Sequence, residues 1–203
     1  MGWLKVYFTF ILLSICFTSL SQELVYDVTI EGKAVGNMLV TKKVLDSGQI
    51  YYSAVMDLEY KLFRPTQMVQ LQEAVYQNDT LRQAYFVDKR NGEIIEEAKI
   101  EQLLGKKYYR TKIDTSKNWH EKPILKSTVR LYFDQPQKRD SVFSERVHQY
   151  FNIAKLPEEN RYMMVNSEEE KTILEYNKNG ICAQLNFNIG AVNYQMKLRE
   201  SEE

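Results

Sequence analysis

The chain has 203 residues, with 27 basic side chains, 27 acidic side chains and two histidines. That balance excludes a bulk electrostatic pull toward nucleic acid or an anionic membrane. About 180 residues beyond the N-terminal segment are enough for a sizeable core without disulfide staples.

The N-terminus reads as an export signal. Lys5 is the one charge before a nearly continuous apolar run from Val6 to Leu20, softened by Thr9, Ser14, Thr18 and Ser19. The run is short of the ~20 apolar residues that cross a bilayer core. Ser19-Leu20-Ser21 places small residues where a signal peptidase reads, so cleavage is expected after Ser21, with Gln22 as the new N-terminus. The alternatives are a short uncleaved anchor and lipidation at Cys16. Ile15 and the apolar Phe17–Leu20 both oppose lipidation. Removing residues 1–21 removes Lys5 and no acid, leaving a net charge near −1. It also leaves Cys182 as the lone cysteine, so no internal disulfide is available. An exported, disulfide-free chain fits a bacterial periplasm or outer surface. One β-rich domain is expected over 22–203, because no Gly-, Ser- or Pro-rich linker divides it.

The dominant pattern has period two. Ile50, Tyr52, Ala54, Met56, Leu58, Tyr60 and Leu62 alternate with Ser53, Asp57, Glu59 and Lys61, which predicts a long half-buried strand. Shorter runs follow the same rule at Leu24–Ile30, Val69–Val75, Leu81–Val87, Ile181–Ile189 and Val192–Leu198. The apolar face is expected at Val69, Leu71 and Val75 in one run and at Leu81, Tyr85 and Val87 in another. Asn91-Gly92 and Asn179-Gly180 match two-residue hairpin turns; Ser47-Gly48 and Asn78-Asp79 are weaker versions. All four prolines fall at run borders. One stretch departs: Ile124, Leu125, Thr128, Val129, Tyr132 and Phe133 share a helical face behind Pro123, predicting a short helix at 123–133. The expected fold is mainly β, a strongly curved antiparallel meander sheet or open barrel with that helix against one end or face. A two-sheet sandwich is the alternative. An outer-membrane barrel is disfavoured, because aromatic girdles of membrane length are missing.

Chemistry-bearing motifs are sparse. Walker, dinucleotide-binding and H-E-x-x-H patterns do not occur. His120 and Trp119 fall in a stretch that reads as a polar loop over 114–121. Trp119 there either covers a ligand or interface, or tucks onto the sheet edge. Glu145 and His148 are three apart, on opposite faces of the extended strand expected there, which argues against a dyad. Cys182 reads as a packed thiol. Glu168-Glu169-Glu170 reads as a solvated turn, and Glu93, Glu96, Glu97 and Lys99 as edge protection. No catalytic residue, cofactor or metal is expected. Fourteen tyrosines are the compositional excess. Aromatics favour strands in general, but they can also line a cavity for an apolar ligand. The candidate ligand-binding residues are Tyr52, Met56, Tyr60, Phe86 and Trp119.

Leu131-Tyr132-Phe133, Pro136, Val142-Phe143-Ser144-Glu145 and Glu175-Tyr176-Asn177-Lys178-Asn179-Gly180 resemble a family of uncharacterised secreted β-rich proteins of Gram-negative bacteria, a domain of unknown function. The resemblance implies an exported β-rich domain and carries over no catalytic residue. The functional expectation is a periplasmic or cell-envelope protein that binds or carries an apolar small molecule in the concavity of its sheet. The alternative is a structural or partner-binding envelope protein, with an enzyme least supported. Neither a nucleic acid partner nor a stable transmembrane span after cleavage is expected.

Overall fold

The computed structural model describes residues 21–199, apart from 46, 62–63, 104–108, 114–115, 138, 167 and 190–191. The expected signal segment, except Ser21, therefore lies outside the described residues. The strands run in chain order: β1 (Ser21–Ile30), β2 (Lys33–Val44), β3 (Ile50–Lys61), β4 (Pro65–Gln77), β5 (Thr80–Arg90), β6 (Glu93–Gln102), β7 (Tyr109–Ile113) and β8 (Ser116–His120). A 3-10 helix at Thr128–Tyr132 intervenes before β9 (Arg139–Phe143), β10 (Tyr150–Lys155), β11 (Arg161–Val165), β12 (Lys171–Tyr176), β13 (Cys182–Ile189) and β14 (Val192–Leu198).

All fourteen strands form one antiparallel sheet, ordered β8 to β1 and then β14 to β9. The curved meander is therefore the architecture, and the sandwich alternative falls. The two halves join where β1 pairs with β14, Val28 opposite Met196 and Ile30 opposite Tyr194. The terminal strands β8 and β9 do not pair with each other. The sheet curls until they are neighbours, and the intervening chain fills the gap. Ser127 bridges Phe143, the Phe143 N–H donates to Lys126 O (2.9 Å) and the Leu81 N–H donates to Ile124 O (2.8 Å).

β3 follows its pattern: Tyr52, Ala54, Met56 and Leu58 are buried, while Val55, Asp57 and Glu59 are exposed. β4 inverts the expected face. Its register sets Leu58 opposite Met68, Met56 opposite Gln70, Ala54 opposite Gln72 and Tyr52 opposite Ala74. Directly opposed residues share a face, so Met68, Gln70, Gln72, Ala74 and Tyr76 point inward. Val69, Leu71 and Val75 point outward. A bulge between Val75 and Tyr76 then makes Leu81 and Ala84 the inward positions of β5, followed by Phe86 and Asp88; Tyr85 points to the other side, where Val87 is nevertheless buried. An extra residue shifts the alternation by one, which no local pattern discloses.

The helix is shorter than 123–133. Residues 123–127 are not helical, because Ile124 O and Lys126 O bond to strand neighbours instead of closing helical turns. The stretch holding Trp119 and His120 is strand β8, not a loop, paired with β7 through Trp119 opposite Arg110. β6 is not an edge, since β7 pairs with it. Asn78-Asp79 and Asn91-Gly92 take positive φ at both positions, as the mirror-image hairpin turns require. At Asn179-Gly180 only Gly180 does, and the Asn177 side-chain oxygen accepts from the Asn179 and Ile181 N–H groups to make the turn instead.

One end of the curl is packed solid around the 3-10 helix. Tyr26, Tyr52, Tyr76, Phe133 and Tyr176 are buried there. Their rings meet edge-on or tilted: Tyr52 with Tyr76 at 5.7 Å, Tyr52 with Phe133 at 5.9 Å, Tyr26 with Tyr132 at 5.5 Å. Three of the phenols reach a fixed acceptor. Tyr26 donates to Cys182 O (2.7 Å), Tyr76 to Ser127 Oγ (2.6 Å) and Tyr176 to Leu131 O (2.9 Å). Arg130 covers this end, its guanidinium 4.8 Å from the Tyr76 ring and 2.9 Å from Asp134. Much of the tyrosine excess thus builds a plug, because a buried phenol offers a large apolar body plus one hydrogen bond.

Candidate functional site

The opposite end is hollow. A cavity of about 710 Å³ lies between the N-terminal and C-terminal halves of the sheet, within the ~300–1,000 Å³ of small-molecule sites. The arrangement follows from the topology: β3, β4 and β5 supply one side, β10 to β14 the other. Met56, Met68, Phe151 and Met164 line it, with Phe187 and Tyr194. The last two face each other across the β13–β14 hairpin with rings stacked at 5.2 Å and 8°. Gln70, Arg90, Arg146, Lys171, Glu168 and Glu170 supply polar lining. Thioethers adapt to irregular shapes, and stacked aromatics offer a rigid flat wall.

Of the five candidate ligand residues, Met56 and Tyr60 line this cavity. Tyr52 does not: it is 1% exposed inside the plug. Burial pushes its phenol up to about 12. Phe86 is buried beneath the Arg146 guanidinium, 5.6 Å from ring to Cζ. Trp119 is 62% exposed on β8, so the idea that it tucks onto the sheet does not hold. Phe187 and Tyr194 sat in legible alternating runs, and pairing those runs as a hairpin could have found them. Gln70, Arg90 and Arg146 carried no local signal.

The loop 144–149 between β9 and β10 ties the two halves of the wall together. Glu145 is 1% exposed. Its Oε2 accepts from the Thr128 N–H (3.1 Å) and the Thr128 hydroxyl (2.5 Å), and its Oε1 from the Val129 N–H (3.2 Å). The carboxylate thereby caps the 3-10 helix from outside it, at the helix's positive end. Burial nevertheless holds its carboxyl above the ordinary range. The next residue crosses to the other half. Arg146 Nε lies 2.8 Å and Nη2 2.7 Å from Glu96 Oε2 on β6. Asp88, 1% exposed, faces Glu96 across the β5–β6 ladder and accepts from Arg90 Nη2 at 3.3 Å. Asp88 Oδ1 has no hydrogen-bond partner among the described residues.

Glu145 and His148 lie in a turn, not in the extended strand expected there. His148 takes φ 54° and its N–H donates to Ser144 O. The Glu145 carboxylate goes to the helix and the imidazole goes elsewhere, so no dyad forms. His148 stacks on Phe143 at 6.0 Å, and His120 packs against the same ring at 5.4 Å. Burial draws His148 down to about 4, with the neighbouring His120 acting in the same direction, and lowers His120 as well. An imidazole whose folded pKa lies below its unfolded 6.5 binds fewer protons when folded. Its stabilisation is whole above pH 6.5 and is lost as pH falls through about 4. Allowing for the ring's partial exposure, we expect roughly 2 kcal/mol of stability to disappear across that window. Urea unfolding at pH 7 and pH 4 should show it, with a shallower loss in His148→Asn, which tolerates the left-handed backbone. Equal losses in both proteins would remove His148 from the account.

Cys182 is buried, and its thiol is pushed up to about 12 by burial, as a packed thiol should be. Among the described residues no group of three or more His, Cys, Asp or Glu side chains is placed to hold a metal. Nor is any helix among them long and apolar enough to cross a membrane.

Fold and cavity together define a β-barrel-like wall, plugged at one end and hollow at the other. Residues 26–199 match the family described as a domain of unknown function, DUF6134. The chain belongs to that family. Its backbone is similar to the crystal structure of a β-barrel-like protein of domain of unknown function DUF1849 from Brucella abortus, at a TM-score of 0.55 and 13% identity. The match covers 88% of this chain and 95% of the other. At that identity the likeness concerns the fold alone. No protein of curated function matches the sequence.

Proposed function

We propose that this protein is an exported binding or carrier protein of the cell envelope, holding an apolar or amphiphilic molecule in the open end of its curled sheet. The observation that carries the reading is the cavity of about 710 Å³. Its apolar lining includes Met56, Tyr60, Met164 and the Phe187–Tyr194 stack, opposite a plug built around Tyr26, Tyr52, Tyr76, Phe133 and Tyr176. Burying an aliphatic chain there gains about 0.8 kcal/mol per methylene. The export half of the proposal rests on Val6–Leu20 and the Ser19-Leu20-Ser21 processing site.

Native mass spectrometry of the protein purified from its own cells tests both halves. The expected spectrum shows a chain beginning at Gln22 carrying an adduct of lipid size. A chain retaining residues 1–21 would overturn export by cleavage. A clean apo mass, unchanged after incubation with lipid extract, would overturn the carrier reading. It would move the weight to the partner-binding alternative, which draws on Trp119 standing 62% exposed on an end strand of the sheet.

A further inference from the structure

We infer that the molecule held in the cavity is an aliphatic chain ending in an anionic group, with the anion taken by Arg90 and Arg146. This rests on the carrier reading above and names its ligand class. The two arginines reach the cavity from distant parts of the chain, one from the end of β5 and one from the loop 144–149, and both line it. Each is pinned from one side. Arg146 presents Nε and Nη2 to Glu96, and Arg90 presents Nη2 to Asp88. A guanidinium carries five N–H donors. Arg146 Nη1, and Arg90 Nε and Nη1, make no hydrogen bond among the described residues. Neither Asp88 nor Glu96 lines the cavity. The carboxylates therefore orient the guanidiniums without standing between them and a ligand, so little side-chain entropy remains to be lost on binding.

The other charges of the lining are mixed: Glu170 lies close enough to Arg146 to act on it electrostatically, alongside its partner Glu96. Lys171 adds a third cation to the lining. The two acids that line the cavity, Glu168 and Glu170, both belong to the β11–β12 turn. Glu168 is exposed, and Glu170 is bound through Oε2 by Asn166 Nδ2 at 2.8 Å. The Arg90–Arg146 side is thus the side built for an anion, and the thioethers and stacked rings receive the chain. Charge-assisted contacts from two guanidiniums give such a head group both affinity and a fixed orientation.

The test uses cis-parinarate and its methyl ester, titrated by fluorescence into the mature chain. The wild type is expected to bind the acid about tenfold more tightly than the ester. Arg90→Gln and Arg146→Gln, made separately, should each lose most of that advantage and keep ester binding unchanged. The ester is also the control for an intact cavity, and Arg90→Gln leaves the Arg146–Glu96 tie in place should the other variant fold poorly. Displacement by palmitate or by hexadecyl phosphate then tells a carboxylate head from a phosphate. Equal affinity for acid and ester, or an acid preference that survives in both variants, overturns the head-group assignment while leaving the cavity reading intact. Binding of neither probe overturns the cavity reading itself.

Discussion

Replacing Glu145 by alanine is expected to lower folding stability by about 4 kcal/mol. The side chain is 1% exposed, and its two oxygens accept from two backbone N–H groups and one hydroxyl at the start of the 3-10 helix. Removing it strands those donors away from water, each at a cost of ~1–3 kcal/mol, and leaves a void beside them. The helix is also the plug of the wall. Tyr176 donates to its Leu131 carbonyl from the C-terminal half, and Gln72 donates to Thr128 Oγ1 (2.8 Å) from the N-terminal half. A loosened helix start therefore loosens both halves. Glu145→Gln keeps the shape and one acceptor and should cost about 1–2 kcal/mol. Equilibrium urea unfolding followed by tryptophan fluorescence measures both. A loss below ~1 kcal/mol for the alanine variant would mean that water takes over the carboxylate's contacts. The pH dependence supplies an independent readout. With the folded carboxyl raised above its unfolded value, Glu145 favours the fold most in acid, and that contribution is lost as pH rises through the raised pKa. The sign is opposite to that of His148, and Glu145→Gln should erase it.

The second large effect is expected at Gly36, where alanine should cost about 3–4 kcal/mol through overpacking and backbone strain together. Gly36 sits on β2 with φ 154°, opposite Val28 on β1 and Leu58 on β3. The β1–β2 ladder carries a bulge there, between Val28 and Thr29. A Cβ at Gly36 would fall far inside van der Waals contact distance of Asp57 O and lie 3.0 Å from Leu58 Cα. Both obstacles are backbone in a central strand, so neither can swing aside as a side-chain tip would. Relief requires β2 and β3 to part, beside the Val28–Leu58 layer of the core. Thermal or urea unfolding of Gly36→Ala checks the size. A change within ~0.5 kcal/mol, the range of an ordinary surface substitution, would show that the ladder yields more readily than its pairing suggests.

The two sites also show why local pattern reads some of this molecule and not the rest. β3 was legible because one face is apolar for its whole length and the other carries Asp57 and Glu59, leaving a single way to bury it. β4 was not, because both its faces hold enough apolar surface to be half-buried. The register against β3 chose the face with Gln70 and Gln72. Gln72 then serves the plug and Gln70 lines the cavity. The candidate site was found by halves for the same reason. Met56 and Tyr60 lie on the legible strand. Arg90 and Arg146 reach the cavity only because a bulge re-aims β5 and because the sheet curls far enough for loop 144–149 to meet β6.

By itself the sequence determined the all-β character, most strand positions, the packed state of Cys182 and the antiparallel connection of neighbours. Each of these follows from interactions between residues close along the chain: alternation, turn chemistry and the cost of burying charge. The tertiary structure alone decided which face of β4 and β5 is inside, that the tyrosines fill one end and leave the other hollow, and that Glu145, Arg146 and His148 serve three different partners. Those outcomes depend on inter-strand register and on the curl that brings β9 and its loop beside β6 and β8. Both are set by the summed packing of fourteen strands, and no short segment carries that information.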